Sequence, residues 1–394
     1  MSFDRNEKNT LWLTAVAHFG VHMAMLVYPT AAVAIAASEG IGLDVVLGWS
    51  FFGYLVYGLG GLPVGILTDH LSARWVVRTG VLGLGLAMMA VATAEPGRGI
   101  VLALVVVGAF ASLYHPAGLG LISKTVRARG TALGVNGIFG NLGIAAAPVL
   151  TELAAAAWGW RGAYLALGAA LLVPGLVVSL LPIHESPATG DRASEEGLAS
   201  DRRVLFAILL VAMMIGGLAY RAASLAQPAY YAERVGFMGY GAATSVVYLM
   251  GTVGQYIAGR MADRGDLRIL YLVFQGLSLP FVAAMAFLSG LPLMMAASVY
   301  VFFAIGMQPI ENSLVARFTP ERWRSTGYGL KFSAVFGVGA LSVRGVETFM
   351  RDYSLAQVFT GIAGLVALIM AAATVIIWLT RGQPVRNMPA AEPR

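Results

Sequence analysis

Gly65-Ile-Leu-Thr-Asp69-His-Leu-Ser-Ala-Arg74 is a short charged turn between two long apolar runs, and the chain carries a second version of it. Gly259-Arg-Met-Ala-Asp263-Arg264-Gly-Asp-Leu-Arg268 stands 194 positions later, with Gly, Asp and Arg at the same intervals. The Gly four residues before each Asp lets a helix end lie close to a neighbour. The Asp sets a carboxylate at the edge of an apolar run, where it can cap a helix or pair with Arg. One such turn between spans is unremarkable. Two, each between the second and third apolar runs of its half, imply a duplicated unit.

The surrounding sequence has the composition of a membrane protein. Of 394 residues, 58% are hydrophobic and 12% charged, with mean hydropathy +0.76, whereas soluble domains carry about 25% charge. Apolar runs fall near 11–37, 45–68, 74–94, 98–123, 129–153 and 161–182, then near 204–231, 240–260, 268–288, 291–317, 325–348 and 355–380. Each approximates the roughly 20 residues that cross a bilayer as a helix. The expected fold is all-α and polytopic, with twelve transmembrane helices in two pseudo-symmetric six-helix bundles. Residues 1–183 form the first bundle, the polar segment 184–203 a linker, and 204–394 the second bundle.

Smaller echoes support the duplication. Arg129-Gly-Thr-Ala-Leu-Gly134 opens run five as Arg324-Ser-Thr-Gly-Tyr-Gly329 opens run eleven. Pro29 corresponds to Pro228, and Pro116 to Pro309. Nineteen Lys and Arg fall in loops on one side of the expected membrane and four on the other, which places the termini and linker in the cytoplasm. The net charge of +6 is therefore a matter of topology, and no nucleic-acid partner is expected. The N-terminal run is too long for a signal peptide core, and the absence of Cys excludes disulfides and thiolate metal sites.

The paired turns resemble the loop motif of the major facilitator superfamily, roughly G-x-L-x-D-R-x-G-R-R/K. The first copy departs from it at His70, Ser72 and Ala73. The resemblance implies a transporter working by alternating access, with a midplane cavity lined by spans one, four, seven and ten. It also implies gating by Gly65, Asp69 and Arg74 in one turn and Gly259, Asp263, Arg264 and Arg268 in the other. Asp69 would face Ser325-Thr326, and Asp263 would face Gly130-Thr131. Tyr114-His115-Pro116 resembles the fosmidomycin-resistance-like branch of drug-efflux facilitators. The glycines of Gly134-Val-Asn-Gly137-Ile-Phe-Gly140-Asn141-Leu-Gly143 partly match an antiporter motif, although Asn141 replaces its Pro, and they also suit plain helix packing.

Ionisable groups within a span are costly and tend to be functional. Here they are His18, His22, His115, Arg221, Glu311 and Lys331. With Gln308, the residues His22, His115, Arg221 and Glu311 are the cavity candidates. Glu311, Lys331, His22 and His115 are the candidates for carrying a proton. His18 and His22 share a helix face at the spacing of two metal ligands. No Cys or carboxylate on span one completes the set, so no metal is expected. Glu311 and Lys331 lie at similar depth on neighbouring spans and can pair, as a strut or as a proton switch.

No nucleophile–base set or phosphate loop is visible, so neither an enzyme nor a cofactor is expected. The expectation is a monomeric secondary transporter, multi-pass in the cytoplasmic (inner) membrane. It would move a small organic solute, with proton-coupled efflux first. The alternatives are an uptake symporter of a small organic anion and a non-transporting receptor or assembly protein.

Overall fold

The computed structural model describes residues 3–185, 201–318, 324–381 and 385, and among these the secondary structure is helical throughout. In the first half, span one is α1 (Arg5–Glu39), and span two comprises α2 (Leu43–Gly48), α3 (Phe51–Leu59) and α4 (Gly61–His70). Span three is α5 (Ala73–Val91), and span four breaks into α6 (Arg98–Ser112) and α7 (Tyr114–Thr125). Then comes α8 (Arg129–Ser179), whose 51 residues would reach about 75 Å as one rod, against a hydrocarbon core of about 30 Å. Gly159, at φ 69 and ψ 173, folds it into spans five and six. Only glycine enters that region without strain.

The second half repeats the pattern. It contains α9 (Asp201–Arg234), α10 (Tyr240–Ala262), α11 (Leu267–Met285), α12 (Gly290–Gly306), α13 (Gln308–Phe318), α14 (Arg324–Gly339), α15 (Ser342–Asp352) and α16 (Leu355–Leu379). Among the described residues, ten segments are individually long and apolar enough to cross a membrane. Counting the folded α8 as two crossings and adding α10 gives the twelve expected from the sequence. Spans four and ten break just before Pro116 and Pro309, where proline removes a backbone donor.

The duplication also appears in how the helices cross. A methyl on Gly53 would lie 2.7 Å from the Leu104 carbonyl oxygen, and one on Gly108 would lie 2.1 Å from that of Gly53. In the second half, a methyl on Gly254 would lie 2.0 Å from the Phe302 carbonyl oxygen, and Gly306 packs on Gly254 itself. Spans two and four, and spans eight and ten, therefore each cross backbone to backbone through a glycine pair, at different positions in the repeat. The outer surface is apolar. Trp12, Trp75, Trp158 and Trp378 are largely exposed, with Arg78 over the Trp75 ring and Arg381 over Trp378, as at a bilayer–water interface.

The glycines of the two motif turns are not at the close helix approach expected of them. A methyl on Gly65 would meet only the Pro116 Cβ at 3.8 Å, and one on Gly259 only the Pro309 Cβ at 4.0 Å. These are ordinary contacts, so close approach does not require glycine at either position. The pairing of each turn with the proline of its own half is nonetheless conserved by the duplication.

The arginines fasten each turn within its own half. Arg74 donates to the Ile183 carbonyl and Arg78 to that of Leu181, at the end of span six. Arg268 pairs with Asp266 at 2.5 Å and donates to the Thr380 carbonyl, at the end of span twelve, at 2.6 Å. Asp263 ends α10 and shares a recess with Arg260 and Arg264. The side chain of Asp69 and those of Gly130 and 325–326 lie outside the described residues.

Candidate functional site

The halves meet along pseudo-symmetric seams. At span two against span eleven, Gly58 lies on the backbone of Phe336 and Gly337. At span five against span eight, Glu152 accepts from the Gly241 and Ala242 N–H groups, both at 3.1 Å. Span one also faces span seven. The intramembrane polar groups gather along these seams in three separate sets.

The first set joins His18 and His22 of α1 to His115 of α7. The His18 and His22 Nε2 atoms are 3.1 Å apart, and the His115 ring lies edge-on to both at 5.4 Å. His18 Nδ1 is 2.8 Å from the Asn136 carbonyl oxygen of α8. Since a carbonyl only accepts, His18 carries its proton on Nδ1 and presents the Nε2 lone pair to His22. Tyr114 stacks on His18 and exchanges hydrogen bonds of 2.7–2.9 Å with the Asn136 amide. The His115 ring is flanked by Tyr57 and, from the other half, by Phe332 and Phe336.

The span-five glycines acquire a definite role here. A methyl on Gly140 would stand 2.6–2.9 Å from three atoms of the His18 ring, and one on Gly143 would collide with the Phe19 carbonyl. Gly134 and Gly137 face open space. Half of the motif is thus helix packing, and it makes room for His18.

The second set surrounds Arg221 on α9. The guanidinium lies 3.7 Å over the Tyr54 ring of α3, and its charge reaches His22. Arg221 is buried, and its Nη1 has no hydrogen-bond partner. Tyr248 is close enough to Tyr220, Tyr231, Tyr300 and Arg221 to interact electrostatically with each. The hydroxyls of Tyr231 and Tyr248 and both amide atoms of Gln227 are also buried and unpartnered. Buried polar groups are nearly always satisfied, so this line of open donors and acceptors along α9 marks a path where polar guests or water belong.

The third set is Glu311 and Lys331, which form a buried ion pair at 2.6 Å, with Lys331 also donating to the Asn312 side chain at 2.6 Å. Gln308 stands apart from all three sets. It accepts from Gln255 at 2.9 Å, and Gln255 in turn accepts from Asn141 of the opposite half at 2.5 Å.

Of the cavity candidates, the fold therefore unites His22 and His115 with Arg221 nearby, but it places Gln308 in an amide chain and Glu311 in an ion pair. The expectation against a metal weighed span one alone, and the fold brings His115 to the same point. Sequence reasoning passed over Tyr54, Tyr57, Tyr220, Gln227, Tyr231, Tyr248 and Gln255. A polar or tyrosine residue recurring within otherwise aliphatic spans was the available signal.

Twelve membrane-crossing helices in two related bundles, with buried polar sets along their seams, define a membrane transporter. The sequence model of the Major Facilitator Superfamily matches residues 10–343, and the chain belongs to that family. It is similar in fold to a bacterial homologue of the human lysosomal transporter Spinster in an inward-facing, occupied conformation. That match has TM-score 0.76 and 14% identity over 99% of this chain and 100% of the other. It is also similar to a peptide transporter, POT, solved in complex with sulfate, with TM-score 0.73 and 14% identity over 96% and 98% of the two chains. No curated protein matches by sequence.

Proposed function

We propose that the chain is a secondary active transporter that exports a small organic anion across the cytoplasmic membrane, with entry of protons as the driving reaction. The observation that carries this reading is the buried, unpaired Nη1 of Arg221, on the same helix as the unpartnered amide of Gln227 and hydroxyl of Tyr231. A guanidinium in a dry site gains most from an anionic partner, through charge-assisted hydrogen bonds. The bundles 1–183 and 204–394 rock about this site, and access alternates between the two faces. The excess of Lys and Arg on the gate side puts the gate turns and both termini in the cytoplasm. Asp69 and Asp263, at the gate turns, bias the equilibrium between the two states.

Glu311 is the proposed proton carrier. The Lys331 ammonium occupies its carboxyl group in this structure, so the pair would open before Glu311 met water or substrate in the other state. Lys331 neighbours Phe332, whose ring packs on His115, so movement between the halves can be felt at the ion pair. The span-four resemblance favours export. Uptake by symport would use the same anion site, and the direction of proton-driven accumulation in vesicles separates the two. An absence of any flux would favour the receptor reading.

The test is a thermal-shift panel of small organic anions and hydrophobic cations on purified protein. Arg221→Ala should weaken binding of the stabilising anions by about tenfold or more, the equivalent of one charged hydrogen bond, and leave cations nearly unaffected. Equal loss for both ligand classes would overturn the assignment.

A further inference from the structure

We infer that His18, His22 and His115 form a binding site for a divalent late transition-metal ion, the Co2+ to Zn2+ group, completed by an anionic fourth ligand. One ring nitrogen from each of the three lies within 4.8 Å of the other two. The 3.1 Å between the His18 and His22 Nε2 atoms is already close to the separation of about 3.3 Å that two nitrogen ligands take on a tetrahedral ion at about 2.0–2.1 Å. The remaining adjustment belongs to His115, whose ring is edge-on to both others.

Imidazole ligands need an outer partner that fixes the tautomer and turns a lone pair toward the metal. His18 has one in the Asn136 carbonyl, on a residue whose side chain is itself held by Tyr114. His115 has a second in the Tyr57 hydroxyl, 3.4 Å from Nδ1. Gly140 keeps the space that the His18 ring occupies. The three histidines thus come from two spans, are oriented by two more, and are closed over by Phe332 and Phe336 of the opposite half.

Three neutral imidazoles leave the ion's double charge uncompensated in a low-dielectric site, and Arg221 adds to it. An anion bound at the open fourth position offsets both charges, that of the ion and that of Arg221, whose charge reaches His22. This is why the site would take a metal together with an anion rather than a bare ion. The inference is independent of proton coupling and of transport direction.

Tag-free protein in lipid nanodiscs, titrated with Co2+ in chloride buffer, should bind one equivalent with the visible ligand-field bands of a nitrogen-bound tetrahedral ion. Zn2+ should displace it. His18→Ala, His22→Ala and His115→Ala should each lower Co2+ affinity by at least about 100-fold, more than loss of an outer partner does, while His184→Ala changes nothing. No stoichiometric binding, or binding that survives all three substitutions, would overturn the site. Should the alanine variants misfold, X-ray absorption of the Zn2+-loaded wild type decides, since three imidazole scatterers support the site and one or none refutes it. Failure here leaves the Arg221 thermal-shift result untouched, so the two readings are separately testable.

Discussion

The corresponding ends of spans four and ten carry different chemistry. In the first half, α7 offers His115 beside Pro116, and the polar set is built of imidazoles, phenols and an amide held by hydrogen bonds. In the second half, α13 offers Glu311 two residues after Pro309, and the set is an ion pair. Imidazole can be buried neutral with a single carbonyl partner. An intramembrane carboxylate needs a cation, a proton or water, and the fold gives Glu311 the Lys331 ammonium. The duplication preserved the scaffold, including a break before the proline of spans four and ten, while the two sites diverged.

The largest expected effect comes from breaking the ion pair. Lys331→Met strands a buried carboxylate and should cost about 3–5 kcal/mol of stability, whereas the Glu311→Gln, Lys331→Met double variant should recover most of that loss. Thermal unfolding would measure both. In reconstituted vesicles, Glu311→Gln should abolish accumulation driven by a pH gradient and preserve substrate exchange. Accumulation at the wild-type rate would make the pair a strut and return proton carriage to His22 or His115.

A smaller effect is expected on the histidine side of the comparison. Gly140→Ala pushes a methyl into the His18 ring, an overpacking that should cost about 1–3 kcal/mol. Gly137→Ala, on the same helix but facing open space, should be neutral or slightly stabilising, because alanine is the better helix former. Equal melting temperatures for the two variants would show that His18 is not confined as described.

The smallest effect concerns the two turns, which reach the same end by different anchors. Glu185, from beyond span six, accepts from the Ser72 hydroxyl and from the Ala73 and Arg74 N–H groups, whereas Asp266 caps α11 from within its own turn. Burial works to raise the Glu185 pKa, but the Ser72 hydroxyl and the Arg74 and Ala73 N–H groups together outweigh it, so it lies below the ordinary 4.5. The first anchor is therefore at full strength above about pH 4.5 and is lost as pH falls through the lowered value. The protection factor of the Ala73 and Arg74 amides, which allows for the intrinsic slowing of exchange in acid, should be high at pH 6 and fall below about pH 4.5. Glu185→Gln should reproduce the acid behaviour at pH 6 while leaving Leu267–Ile269 protected, and equal deprotection of both turns would erase the distinction.

The sequence by itself determined the twelve spans, their grouping into related halves and the family, because apolar length and repeated turn chemistry are local properties. It also located the costly residues, since a charge within an apolar run is visible wherever it lies. The partners were decided by the tertiary structure. Nothing in the order of residues states that span four delivers His115 to His18 and His22, that Asn136 fixes the His18 tautomer, or that Tyr54 stacks on Arg221. Those contacts join helices far apart in the chain, and they depend on crossing geometry set by glycine contacts such as Gly53 with Gly108 and Gly140 with His18. The Gly65 and Gly259 turns teach the converse. There a sequence signal was read as close packing, and the folded chain shows ordinary contacts with Pro116 and Pro309 instead, because how near two helices lie is a property of the pair and not of the glycine alone.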